Sequence, residues 1–337
     1  MDIMIQSPQN VASAFDKIVS YIKRTPLMTS DLLNKSLGHE IVFKIENLQN
    51  TRSFKIRGVL NAIITLKEEN KLTQRITAYS TGNHALALAW ATNKFNLKLS
   101  LYLPNFTSKI KQKIAQSYGA DVILTKTRSE AEEMALQEST KKDCVLIPPS
   151  DHDYVIAGAG TASFEVFKED SNFDAMFVPC GGGGLASGSY LSTKLLAPHT
   201  LVFAGEPKQA NDAAISFRTN KVFRFKESPE TLADGARTLG ITERIFNYIQ
   251  LIGGFYEISE REISYWTMWT MHLLKIVTEP TSALAIAAAH RWLSEQKKPK
   301  RVLVILTGGN IDNETYQMIW SKNHLETNPK DFTYDEE

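Results

Sequence analysis

Two cysteines, Cys144 and Cys180, are all that the 337 residues contain. So few exclude a disulfide framework and a cysteine-built metal centre, and they fit a reducing, cytoplasmic setting. Long apolar runs are missing: none approaches the roughly 18 residues a membrane-spanning helix needs. The first residues, Met1-Asp2-Ile3-Met4-Ile5-Gln6, lack the basic stretch and extended apolar core of a secretory leader. Neither charge is in surplus: 38 Lys and Arg stand against 37 Asp and Glu, for a net charge of +1. Nucleic acids and anionic membranes call for a basic excess, so neither is expected as a partner and a small molecule is. His39, His152, His199, His272, His290 and His324 have no ligand-like spacing and read as surface or core residues. Internal repeats are absent.

What is present is the balance of a soluble globular chain, 43% apolar and 22% charged, at a length that suits about two domains. Strands and helices alternate. The spacing predicts a helix over residues 11–23, a strand at 41–45, the Lys55 loop, and a helix through Val59, Leu60, Ile63 and Leu66. Strands at 76–79, 97–103, 121–124 and 145–147 are separated by helices at 83–93, 108–118 and 129–137, as in βαβ units on a parallel sheet. Residues 74–149 therefore read as a small mobile domain. Residues 1–73 and 150–325 read as a larger one, with strands at 176–178, 201–204 and 302–306 and helices at 161–168, from about 186, from 259 and at 282–296. The short, continuously apolar strands suit a parallel sheet covered on both faces. Ser259 with Glu262 forms a capping-box pattern. Residues 326–337, with Asp331, Asp335, Glu336 and Glu337, read as a loose acidic tail.

Four stretches carry chemistry. Asn50 to Gly58 sets Lys55 after the Phe54 ring and before Arg57. A lysine held between an apolar face and a cation loses its proton readily, and a neutral amine is what an aldehyde cofactor needs to form a Schiff base. Gly181-Gly182-Gly183-Gly184-Leu185 lies between a strand and a helix, where successive backbone N–H groups converge on one anion, most naturally a phosphate. This is neither a dinucleotide fingerprint nor a P-loop. Ser80-Thr81-Gly82-Asn83-His84 suits a carboxylate and equally an ordinary helix cap. Thr307-Gly308-Gly309-Asn310 ends an apolar strand, where ligands sit in open α/β sheets. Farther along, Glu206, Ala210 and Asp212 suit a hard divalent cation, and suit a solvated acidic loop as well.

Taken in their order along the chain, and together with Ala233-Asp234-Gly235 and Glu279-Pro280-Thr281, these motifs resemble the fold-type II pyridoxal-phosphate (PLP) enzymes, in the branch of serine/threonine dehydratases and serine racemases. The resemblance spans about residues 10–325, without the regulatory domain of the long dehydratases. It implies a tryptophan-synthase-β-like α/β fold: two open, twisted, mostly parallel sheets flanked by helices. It implies a homodimer. Lys55 would carry PLP and act as the base at the substrate Cα. Phe54 would pack on the ring, Asn83 would bond its hydroxyl, and Thr307 would face its nitrogen. Gly181, Gly182, Gly183, Gly184 and Leu185 would hold the phosphate. Ser80, Thr81, Asn83 and His84 would hold the substrate carboxylate, and Glu206, Ala210 and Asp212 would hold Mg²⁺, Mn²⁺ or Ca²⁺.

Three positions depart from the family pattern. Arg52 stands where many relatives have Gly. Thr81 stands where racemases have Ser and many dehydratases have Ala. Thr238 lies where relatives contact the far end of the substrate. The expected activity is β-elimination from a small β-hydroxy amino acid, L-threonine or L-serine first. The alternatives are serine racemisation, dehydration of a hydroxyaspartate-type substrate, and PLP binding without turnover.

Overall fold

A computed structural model describes residues 5–80 and 82–334 and contains two sheets. The strands are β1 (Leu27–Thr29), β2 (Glu40–Ile45), β3 (Arg75–Tyr79), β4 (Lys98–Pro104), β5 (Asp121–Thr125), β6 (Cys144–Leu146), β7 (Ala175–Pro179), β8 (Leu201–Pro207), β9 (Gly254–Ile258) and β10 (Arg301–Leu306). The larger sheet has the order β1-β2-β10-β7-β8-β9, and the smaller one β5-β4-β3-β6. All neighbours are parallel except β1, which runs antiparallel to β2. The two mostly parallel sheets match the fold class the sequence implies. β10, Arg-Val-Leu-Val-Ile-Leu, is buried along its whole apolar length, because helices cover both faces of the sheet. Among the described residues, no helix is long and apolar enough to cross a membrane.

Some element boundaries differ from the sequence reading. β1 and β9 were not expected: one is three residues long, and the other is an edge strand with four of its five residues only half-buried. The helix expected from residue 161 begins at Asp153. Gly158 and Gly160 interrupt the apolar pattern there, but they permit contact rather than break the helix. A Cβ on Gly158 would lie 2.6 Å from the Arg57 carbonyl oxygen, and one on Gly160 would lie 2.4 Å from that of Gly188. Three helices, Lys55–Glu68, Asp153–Phe167 and Gly184–Leu196, thus stack backbone against backbone.

Lys55 is not in a loop but is the first residue of its helix. The turn before it is stitched to the end of β10: Phe54 N donates to Thr307 O at 3.0 Å, and Gly309 N to Arg52 O at 3.0 Å. Arg52 holds this turn at φ 58, the left-handed region. Behind the lysine, four charged side chains meet away from water. Arg57 bonds Glu46 at 2.8 Å and Glu165 at 3.1 Å, and Lys44 bonds Glu165 and, at 2.7 Å, the Thr25 carbonyl.

The expected loose tail docks as far as Tyr334, the last described residue. Phe332 is buried against the Tyr265 ring, Arg261 covers Phe332, Arg291 covers Tyr334, and His290 bonds Pro329 O at 3.0 Å. Two aromatic rings supply the apolar area that the acidic composition hides.

Candidate active site

The loops at the carboxyl ends of β10, β7 and β3 open on one cavity. It is lined by Lys55, Ser80, Asn83, His84, the turn Gly181–Leu185 and Thr307, along with Phe54, Arg128, Asp234 and Glu279. Thr81 lies outside the described residues.

The Lys55 amine donates to Pro149 O at 2.7 Å and lies 5.1 Å from the centre of the Phe54 ring. Burial, and next the positive charge of Arg128, lower its pKa to about 8, with Glu279 opposing. A depressed lysine pKa is what the sequence implies, but the cation is not its neighbour Arg57. That guanidinium points into the Glu46/Glu165 cluster. Arg128, on the first turn of the helix Arg128–Ser139, takes its place. It is half-buried, lines the cavity and bonds a backbone carbonyl, that of Arg237, with no carboxylate paired to it among the described residues.

The glycine turn has the geometry of an anion site. Gly183 sits at φ 75 as the residue before the helix Gly184–Leu196. A Cβ there would come within 2.2 Å of the Ile245 side chain, and one on Gly182 within 2.3 Å of Ser150 Oγ. Glycine is required on both counts, and the first N–H groups of the helix have no acceptor within it.

Glu279 is the hub of the remaining wall. It is buried and takes hydrogen bonds from Asn83 Nδ2 (3.0 Å to Oε1, 2.8 Å to Oε2), Thr307 Oγ1 (3.2 Å to Oε1) and Asn310 N (3.3 Å to Oε2). Asn310 Nδ2 donates in turn to Asn83 Oδ1 at 2.8 Å and to Thr51 O at 3.0 Å. The Asn83 amide is therefore committed on both sides. Burial, and then the charge of Asp234, raise the Glu279 pKa to about 7. Ser80 Oγ accepts from Gly82 N at 3.1 Å, closing a turn ahead of the helix rather than capping it, and retains its own proton for donation. His84 Nε2 meets Ile147 O at 2.8 Å, and burial lowers the ring's pKa to about 3. The neutral ring then has its proton on Nε2, and buried Nδ1 has no partner among the described residues. His84 shapes the carboxylate loop but has no free N–H to offer a carboxylate. Against Gly82, Lys111 and Asp234 form an ion pair at 2.6 Å.

The acidic triplet is not solvated. Glu206, Ala210 and Asp212 are all buried. Glu206 accepts from Ala213 N at 3.2 Å and Ala214 N at 2.8 Å. Asp212 Oδ1 accepts from Thr238 Oγ1 at 3.0 Å, while Oδ2 has no partner among the described residues. Burial drives both carboxyls up, Asp212 to about 7. Among the described residues no three His, Cys, Asp or Glu side chains gather as metal ligands, so a cation here would draw on backbone oxygen as well. Thr238, expected at the substrate, is instead tied to Asp212, though it lines the outer cavity beside Lys55 and Arg128.

Two residues of the site escaped the sequence. Arg128 belongs to no motif and reaches Lys55 only through the fold. Glu279 lies in the Glu-Pro-Thr motif, whose proline marks a helix start without hinting that the carboxylate turns inward.

The model of the family described as "Pyridoxal-phosphate dependent enzyme" matches residues 18–308. The chain is 36% identical over 317 residues to "Serine racemase" of Schizosaccharomyces pombe, covering 94% of this chain and 97% of that one. It is 36% identical over 314 residues to "L-threo-3-hydroxyaspartate ammonia-lyase" of Saccharomyces cerevisiae, covering 93% and 95%. Among solved structures, the threonine deaminase of T.th. superposes with a TM-score of 0.84 at 35% identity, covering 91% of this chain and 99% of the other.

Proposed function

The chain belongs to the pyridoxal-phosphate dependent enzyme family, fold type II, and from that premise we propose that it eliminates the β-hydroxyl of a small hydroxy amino acid, releasing ammonia and a 2-oxo acid. The observation that carries this reading is the Lys55 amine, held near pKa 8 in the same cavity as a side-chain-free anion turn and the Thr307 hydroxyl. These residues fit the cofactor: an amine that sheds its proton, first-turn N–H groups for a phosphate, and Phe54 beside the amine. Bound PLP supplies the electron sink for the bond broken at Cα. Lys55 takes the Cα proton, Gly181 to Leu185 hold the phosphate, and Ser80 donates to the substrate carboxylate. At Thr307 the group that would meet the ring nitrogen is a hydroxyl, not a carboxylate. It does not hold the nitrogen protonated, which favours prompt loss of the leaving group. Racemisation needs an acid on the second face of Cα, and threonine at position 81, β-branched and stiff at χ1, is a poorer candidate for it than serine.

A second observation points to the finer substrate. The Arg128 guanidinium lines the cavity beside Lys55 with no carboxylate partner among the described residues, which suits a substrate with a second carboxylate, a 3-hydroxyaspartate, over serine or threonine. The proposal also includes a divalent cation at Glu206, Ala210 and Asp212, supported by the unpartnered Asp212 Oδ2, a homodimer, and a cytoplasmic location.

The test is a panel of L-serine, L-threonine and L-threo-3-hydroxyaspartate, read for ammonia, 2-oxo acid and enantiomer composition. Elimination should outpace inversion, and Arg128→Met should lower the preference for hydroxyaspartate about 10–100-fold, the worth of one charged hydrogen bond. Faster conversion of L-serine to D-serine than to pyruvate would hand the assignment to racemisation.

A further inference from the structure

Thr307 has one proton and three places to put it. Its oxygen lies 3.2 Å from Glu279 Oε1 and 3.1 Å from Ser282 Oγ, and its third direction is the cavity. Ser282 is largely committed elsewhere: its Oγ donates to Gly308 O at 3.1 Å and accepts from Gly308 N at 3.1 Å. The choice is therefore set by Glu279. Its two oxygens are unequal, since Oε2 takes the shorter Asn83 bond and the Asn310 N–H, while Oε1 faces Thr307. When Glu279 is ionised, Oε1 can only accept, and the Thr307 proton goes to it. When Glu279 is protonated at Oε1, the direction reverses: Glu279 donates to Thr307 Oγ1, and the Thr307 proton is free to turn into the cavity.

We propose that Glu279 is a positioning residue that acts through Thr307, its protonation deciding whether the Thr307 hydroxyl donates to the ring nitrogen of the cofactor or only accepts. The inference rests on the reading that Thr307 faces that nitrogen. The reversal balances: one proton from solvent adds to Glu279, one hydrogen bond changes direction, and no other group is altered. It acts on the chemistry directly, because a hydroxyl that donates to an unprotonated ring nitrogen draws electron density out of the ring, whereas one whose proton is held by Glu279 gives that nitrogen nothing. Burial places the Glu279 titration near neutrality. The charges that face it are Asp234, which favours the protonated form, and Lys111 and Lys55, which oppose it. Asp312 acts on Lys111 from the far side.

The test uses holoprotein reconstituted with PLP labelled with ¹⁵N in the ring, with the nitrogen shift followed from about pH 5.5 to 8.5. The native protein should show one titration centred between about pH 6 and 8. Glu279→Gln should flatten it, Ser282→Ala should keep it, and Thr307→Val should move the nitrogen to a single pH-independent position. A flat native trace overturns the proposal. So does a titration that persists in Glu279→Gln while Thr307→Val still moves the nitrogen. If Thr307→Val leaves the nitrogen where it was, the placement of Thr307 itself fails, a separate outcome. If Glu279→Gln does not retain the cofactor, a native-like titration in Thr307→Val overturns the relay.

Discussion

Two groups of charged side chains are withdrawn from water on opposite sides of the Lys55 helix, and they are partnered in opposite ways. Lys44, Glu46, Arg57 and Glu165 pair charge with charge: two cations and two anions, each bonded to at least one ion of opposite sign. In the cavity, Lys55 and Arg128 bond backbone carbonyls and Glu279 bonds amides and a hydroxyl; buried behind Thr238, Asp212 bonds that hydroxyl. Burial acts on both sets alike, but the partner decides the outcome. Arg57 is held further up by its carboxylates, and Glu46 is held down by Arg57. Lys55 moves down to about 8, and Glu279 and Asp212 move up to about 7. Ionic partners lock the charges of Arg57 and Glu46 in place, although burial still lowers Lys44 against the pull of Glu46 and Glu165; dipolar partners leave a buried group within reach of neutral pH, where proton transfer is useful.

Breaking the locked set should have the largest effect. Arg57→Met leaves two buried carboxylates facing one lysine and should lose about 3–5 kcal/mol of stability, measured by denaturant unfolding of the apoprotein. A loss under about 1 kcal/mol would mean water already reaches the cluster. The poised set should respond through chemistry instead. Lys55→Ala should keep the fold and lose at least about 10²–10⁴-fold in elimination, the usual worth of a positioned base. Only the neutral amine attacks an aldehyde, so PLP uptake by the native apoprotein should quicken about tenfold per pH unit up to about pH 8 and then level off. Uptake that goes on rising about tenfold per pH unit past about pH 9 would contradict a depressed Lys55.

A smaller effect is expected at Glu206 and Asp212. A cation there would stabilise the fold by mass action, by about 2.7 kcal/mol at a hundredfold excess over its dissociation constant. Chelation should therefore lower the melting temperature, and unchanged melting would leave a buried acid pair without an ion. Least of all, Arg52→Gly should relieve the left-handed backbone at φ 58 and alter stability by no more than about 1 kcal/mol.

The comparison also explains what the sequence could reveal. Strands such as β10 announce themselves because a doubly covered parallel strand must be apolar throughout, and Gly181–Gly184 announces itself because a side chain at Gly181, Gly182 or Gly183 would strike its neighbours. Lys55 was identifiable by its surroundings, but not the cation that tunes it. Arg57 is adjacent in sequence and points away; Arg128 is distant in sequence and points in. Sequence spacing fixes side-chain direction only within one element, and Arg128 arrives on the helix after β5. Glu279 was hidden for the same reason. Helix glycines and tail aromatics misled in another way: Gly158, Phe332 and Tyr334 act through contacts whose partners lie far off in sequence.

The ties across the cavity constrain how the smaller sheet can move. Asn83, at the head of the helix following β3, is bonded to Glu279 and Asn310, and Lys111, at the head of the helix following β4, is bonded to Asp234. A rigid body held at these two points alone would retain one freedom, rotation about the line joining them, and the Arg128 bond to Arg237 O and the Arg224–Glu132 ion pair would have to give before it turned. Any swing of the small sheet that preserves both ties must have its axis along the rim of the cavity, so displacement grows with distance from that rim. The carboxylate loop would stay nearly still while the body of the sheet behind it travelled. Releasing either tie would convert this single swing into a tumble with no defined axis.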